Sequence, residues 1–450
     1  MDMYVERSAF MNLLSADFGT SSVKLSVINE KLELIKFTER KYHYHITKGE
    51  RVEIDINELF GSFISALKDI EEYLSNIEAL CFDTFAPSLV FMDKNGKCLH
   101  PIVTHLDRRS RKQSKHIINV IGKSRFHEIT GTLPHAGGTT ITTILWFIEN
   151  KPNLWAKTSK VGHLVTYLYK QFTGKWATDS VNASMTGLYE TVHQAGWSSE
   201  ICSTFNIAMN KLPTIYNAGG CLGGLTKEIS ILTGLREGIP VILGTQDIAS
   251  AQVGADNKNT GDVLFVSGSS EMVSIITDKP KIHENYYVRN SAIPGKWQVF
   301  SITLGGFAID WFRNEFYSEY SNEYFYQSFL KQLILNKFNT KTVKFLPYLA
   351  GDRQSLVKKR GSFSGLSLDT KKDDMLCAML LGIQEPTRKT INICSNSISL
   401  SKNIKITGKL LELEPYILLK KKIFPSYTFI GVDNAPLRGN AVLAMEALNK

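Results

Sequence analysis

The chain carries two copies of one local pattern, about 250 residues apart. Residues Leu13 to Asn29 run as an apolar strand, a Phe18-Gly19-Thr20-Ser21-Ser22 turn and a second, alternating strand through Val23, Leu25 and Val27. Residues Asp262 to Ile276 repeat the pattern. Val263-Leu264-Phe265-Val266 leads into Ser267-Gly268-Ser269-Ser270, and Met272-Val273-Ser274-Ile275 leaves it. Gly19 aligns with Gly268, and Thr20-Ser21 with Ser269-Ser270. Two matching hairpins, one in each half, predict a duplicated domain with a ligand between the copies. Glycine admits a close phosphate, and the exposed N–H and hydroxyl groups donate to its oxygens. A single Gly-Thr-Ser-Ser segment also makes an ordinary β-turn.

A chain of 450 residues is long for one hydrophobic core, so two domains are expected, dividing near residue 255. Apolar and helical segments alternate between the hairpins. The helical periods run over 54–75, 108–120, 142–150 and 162–173, and two short strands flank Asp83-Thr84-Phe85-Ala86-Pro87. Gly305-Gly306 opens a helix containing Ile309, Trp311 and Phe312. A strand ends at Gly408, and a helix from Gly439 closes the chain. Strands alternating with helices make the class α/β.

Composition excludes several functions. No apolar run is long enough to span a bilayer. Met1 to Asp17 carries Asp2, Glu6 and Arg7 and does not read as a secretory leader, so a cytoplasmic enzyme is expected. The six cysteines show no C-x-x-C pair and read as reduced, packed thiols. His43 and His45 fit one face of a strand and read as surface residues. The net charge of +9 suits anionic ligands, or is a surface bias. Its lysine clusters lack interleaved aromatics, so neither nucleic acid nor membrane is an expected partner. A homodimer is carried as the working expectation for the assembly.

Asp247 follows the apolar segment Gly238-Ile239-Pro240-Val241-Ile242-Leu243-Gly244 and precedes a helix. That places it at the C-terminal edge of a sheet, where α/β proteins bind ligands. It is either a general base or a helix N-cap. Asp17 ends the first strand. It can hold hydrated Mg²⁺ or simply initiate the turn. Lys24 either neutralises phosphate charge or faces solvent. Asp107, before Arg108 and Arg109, either accepts from sugar hydroxyls or begins a helix.

Taken together, these residues resemble the FGGY carbohydrate kinases, almost from end to end. Asp17 to Lys24 is similar to that family's first phosphate hairpin, Leu106-Asp107-Arg108-Arg109 to its W-x-D-x-R element, and Gly244-Thr245-Gln246-Asp247 to its catalytic segment. Gly268-Ser269-Ser270 is similar to its second hairpin. Leu346 to Arg353 and Gly361 to Leu366 match its C-terminal signature.

The resemblance implies a two-domain, actin-like (ribonuclease H-like) ATPase fold with a cleft between domains. A sugar-binding domain would span 10–254 and a nucleotide-binding domain 255–450. It implies ATP and Mg²⁺ as cofactors, a small sugar as acceptor, most readily a ketopentose such as xylulose, and Asp247 as catalytic base. Gly19, Thr20, Ser21, Ser22, Lys24, Gly268, Ser269, Ser270, Gly305, Gly306 and Gly408 would hold ATP. Asp83, Thr84, Ala86, Pro87, His105, Asp107, Gln246 and Asp247 would face the sugar, with Asp17 and Asp247 near the metal. The chain departs from the family pattern at His105, Thr143, Leu381, Lys409 and the Phe85-Ala86-Pro87 segment. Two rivals stay open: an actin-type ATPase without sugar transfer, and a non-catalytic sugar sensor.

Overall fold

The computed structural model describes residues 11–47, 50–338, 343–349, 351, 352 and 354–449. Ala350 and Arg353 of the C-terminal signature lie outside the described residues, as do Phe10 and Lys450 at the expected domain limits.

Two six-stranded sheets carry the molecule, and they share a topology. In the first, the hairpin Asn12–Phe18/Ser22–Asn29 is antiparallel, Leu34–Lys41 extends it on one side, and Ile77–Thr84 and Pro240–Ile242 add in parallel on the other. In the second, Val263–Ser267/Ser270–Thr277 is the hairpin, Trp297–Leu304 extends it, and Asn403–Thr407 and Thr428–Gly431 add in parallel. The duplication read from two turns therefore extends to five strands in each half. Cys221–Gly224 edges the first sheet and Tyr287–Asn290 the second.

The central strands are apolar because both faces are covered. Leu13, Leu14, Ala16 and Phe18 are all buried. The helix Ile56–Lys68 lays Leu59, Phe63 and Leu67 on one face of this sheet, capped at its start by Asp55. Helices Asp247–Gly254 and Ala435–Leu448 cover the other face. The last helix thus returns across the whole chain to the first sheet. Ser15 Oγ donates to the Leu437 carbonyl at 2.9 Å, and Asn440 Nδ2 to the Ala16 carbonyl at 3.2 Å.

Helix positions expected from periodicity are observed with shifted ends. The stretch 54–75 is a strand end followed by two helices, Ile56–Lys68 and Glu71–Leu74. The stretch 162–173 begins as a strand, Lys160–His163. All six cysteines are free thiols, with Cys221 exposed. No described helix is long and apolar enough to cross a membrane.

Candidate functional site

Three strand ends converge on one edge of the first sheet. Asp17 and Asp83 are register partners on parallel strands. The Thr84 N–H donates to the Thr245 carbonyl at 3.1 Å, and Thr84 bridges to Gln246. Gly244 makes this approach possible, since a Cβ there would lie 1.3 Å from the Phe82 carbonyl oxygen. Asp247 then opens its helix beside the other two carboxylates.

The N-cap of this helix falls to the neighbour of Asp247. Gln246 is the N-cap, its Oε1 accepting from the Ala249 N–H at 3.2 Å. Asp247 stands one residue further on. Its Oδ1 accepts from the Ile248 N–H at 2.8 Å and from the Gln246 amide. Its Oδ2 has no partner among the described residues. Burial, then the charge of Asp17, pushes the Asp247 carboxyl up to about 7. Both polar ends of the Gln246 amide are engaged internally, so it forms wall rather than a free sugar contact.

A cavity of about 110 Å³ joins Asp247, Thr20 of the first hairpin and Ser270 of the second. Phe85, Ala86, Pro87 and His105 line it from the first half. Asp83 and Thr84, also expected to face the sugar, are fully buried and do not line it. Asp83 Oδ2 accepts from Asn440 Nδ2 at 2.6 Å. Burial and the neighbouring carboxylates of Asp17 and Asp247 hold its pKa well above the ordinary range.

The expectation for Asp107 is also corrected. Its carboxylate is completely buried. It accepts from the Val52 N–H at 2.9 Å, the Arg109 N–H at 3.0 Å and the Arg109 guanidinium at 2.7–3.0 Å. Arg108 lines the cavity in its place. Its Nη1 donates to the carbonyls of His105 and Asp107 at 2.7 and 3.0 Å, and a Cβ at Gly137 would lie 2.1 Å from it. Asp107→Ala is expected to cost roughly 2–3 kcal/mol, read by urea denaturation, because Arg109 loses its main buried acceptor.

The hairpins divide their polar groups between self-support and exposure. The Gly19 N–H donates to the Ser22 carbonyl at 2.9 Å, and the Gly268 N–H to the Ser270 carbonyl at 2.9 Å. Ser22 is buried, with Oγ on Glu39 at 2.6 Å. These expected phosphate donors are therefore spent inside the turns. The Thr20, Ser21 and Ser269 hydroxyls have no internal partner among the described residues. Gly305 and Gly306 brace the second hairpin, their N–H groups donating to the carbonyls of Ser269 at 3.0 Å and Gly268 at 2.7 Å. Gly408 passes so close that a Cβ would lie 2.4 Å from the Ser267 carbonyl oxygen.

Lys24 Nζ lies 3.0 Å from Asp17 Oδ2, the residue opposite it in the hairpin. Asp17 raises the Lys24 pKa, and the ammonium remains partly exposed. Asp17 Oδ1 points beneath the turn, 3.7 Å from the Cβ position of Gly19. Among the described residues no three carboxylates, imidazoles or thiols gather to hold a metal ion. Of the two carboxylates expected near a metal, Asp17 is paired with Lys24 and Asp247 lines the cavity.

Sequence reasoning passed over Arg289, which also lines the cavity. Its signal was the alternation Tyr287-Val288-Arg289-Asn290, which puts Tyr287 and Arg289 on one face of a strand.

A xylulose kinase of Lactococcus lactis is 28% identical over 391 residues, covering 85% of this chain and 76% of its own length. A gluconokinase of Bacillus subtilis is 24% identical over 383 residues, covering 82% and 74%. The solved, ligand-bound xylulose kinase from Lactobacillus acidophilus shares the two-domain actin-like architecture, with a TM-score of 0.89 at 21% identity over 98% of this chain and 90% of that one. Residues 12–254 match the N-terminal domain of the FGGY family of carbohydrate kinases. With more than half its length inside that match and both glycine hairpins lining one cavity with Asp247, the chain belongs to the FGGY family of carbohydrate kinases.

Proposed function

We propose that the chain transfers the γ-phosphoryl group of ATP to a primary hydroxyl of a small open-chain sugar. One observation carries this reading: Asp247, with an unengaged carboxylate oxygen, shares a cavity with the tips of both hairpins. ATP, when bound, supplies the electrophilic phosphorus and ADP as leaving group. The acceptor oxygen forms the new P–O bond as the bond to ADP breaks, and its proton passes to Asp247 Oδ2. Thr20, Ser21 and Ser269 donate to phosphate oxygens, and Lys24 adds positive charge beside them. Asp17 is the carboxylate that would hold Mg²⁺. Such catalysis is mainly positioning and charge stabilisation.

Phe85, Ala86 and Pro87 offer a largely apolar wall with few directional groups, so they fit a carbon chain more than a ring of hydroxyl contacts. Ketopentoses such as xylulose are the acceptors that the motif resemblance favours, and sugar acids are the charged members of the same size class. A coupled ADP assay over pentuloses, gluconate and glycerol tests the reading. Sugar-stimulated ADP release is expected. Constant slow hydrolysis would favour a plain ATPase, and sugar binding without turnover a sensor.

The pH profile follows from the carboxyl near pH 7. A base must be ionised, so kcat/KM falls about tenfold per unit below that pH and levels off above it. A profile that stays flat from about pH 5.5 to 8 would remove Asp247 from this role.

A further inference from the structure

Arg289 is a buried cation with no ion-pair partner among the described residues. It stands on the edge strand Tyr287–Asn290 of the second sheet and is 6% exposed. Its guanidinium carbon lies 4.9 Å from the Tyr287 ring centre and 4.5 Å from that of Phe300. Among the described residues, no carboxylate pairs with it and no oxygen accepts from it. Burial pulls its pKa down to about 10, opposed by Tyr287 and Asp247, so it stays charged at neutral pH. Aromatic faces return only part of the cost of burying a cation.

Its place along the cleft identifies what it serves. Leu304 pairs with Ser270 at the second hairpin, and Phe300 lies four residues back along the same strand. At about 3.4 Å per residue, the Phe300 level is ~14 Å from the phosphate turn. Arg289 itself pairs with Gln298, further from that turn along the strand. Its guanidinium feels Asp247, and the cavity they share is also lined by Arg108. Two arginines, one from each half of the chain, therefore face the space left for the acceptor.

We propose that the acceptor carries a carboxylate, bound by Arg289 at the end remote from the hydroxyl that is phosphorylated. The substrate class is then a small polyhydroxylated acid rather than a neutral ketose. This rests on the kinase reading of the same cleft and narrows its acceptor. A guanidinium fork matches a carboxylate in geometry as well as charge, and the desolvated setting strengthens the pair.

The test compares gluconate, a five-carbon aldonate, xylulose and a sugar phosphate in the coupled ADP assay, with wild type, Arg289→Met and Arg289→Lys. An acid is expected to be the best acceptor. Arg289→Met should lower kcat/KM for that acid by about 100-fold, mostly through KM, while Arg289→Lys retains part of it. Protection of the protein from thermal unfolding by the acid, without ATP, should vanish in Arg289→Met and persist in Asp247→Asn. Both Arg289 variants are first checked for a native unfolding transition. Preference for xylulose, or an equal effect of Arg289→Met on acid and neutral sugar, would overturn the proposal and leave the kinase reading intact. Preference for the sugar phosphate would overturn the carboxylate assignment. Acid binding abolished by Arg289→Met, with no ADP release from any acceptor, would support the acid site and reject the kinase.

Discussion

Asp247→Asn is expected to lose roughly three or more decades of turnover while binding ATP almost normally. Asparagine keeps the shape of the side chain, and its amide oxygen still accepts from the Ile248 N–H. It cannot take the proton from an attacking hydroxyl. Stopped ADP release, set beside calorimetric ATP affinity, separates the two functions. Near-normal turnover would reject Asp247 as the base.

The same substitution should stabilise the fold at pH 8. The folded-state pKa is raised from 3.8 to about 7, so between those values the native protein binds a proton that the unfolded chain has released. Stability therefore declines as pH rises through that window, and the cost is fully present above pH 7. Asparagine has no charge to bury, so its melting temperature should exceed wild type at pH 8. The two should converge near pH 4.

Lys420→Met is the substitution with the largest expected effect on stability. Lys420 and Glu271 are both completely inaccessible and form an ion pair. Lys420 also donates to Gln384 Oε1 at 2.6 Å, the Tyr416 hydroxyl donates to Glu271, and Ser267 Oγ donates to it at 3.2 Å. Burial lowers the Lys420 pKa, and Glu271 opposes the shift. Methionine fills similar volume but strands the Glu271 charge, which should cost about 3–5 kcal/mol. Adding Glu271→Leu should recover much of that loss, since an apolar pair needs no solvation. Urea titrations of the single and double variants test this. Ser267 and Glu271 flank the second phosphate turn, so Lys420→Met should also raise the KM for ATP. A single variant as stable as wild type would show that the network contributes nothing.

Much of the fold was legible from local pattern. The alternation around Gly19 and Gly268 located both hairpins, because period-two burial and a glycine turn are properties of a few adjacent residues. The position of Asp247 at a strand edge was legible for the same reason. Its freedom from capping was not, since that depended on Gln246 reaching the Ala249 N–H. The return of the last helix was also hidden. Asn440 meets Asp83 across 357 residues, and no local period encodes such a contact.

The sequence by itself determined where both glycine hairpins lie, which turns can lie against phosphate, and that Asp17 and Asp247 stand at strand ends. Only the tertiary structure decided which charged side chains face the cavity. Asp107 and Asp83 turn into buried partners, while Arg108 and Arg289 line the cavity. Local alternation assigns a residue to one side of a strand. Which side becomes a cavity depends on pairings made with strands and helices far away in the chain.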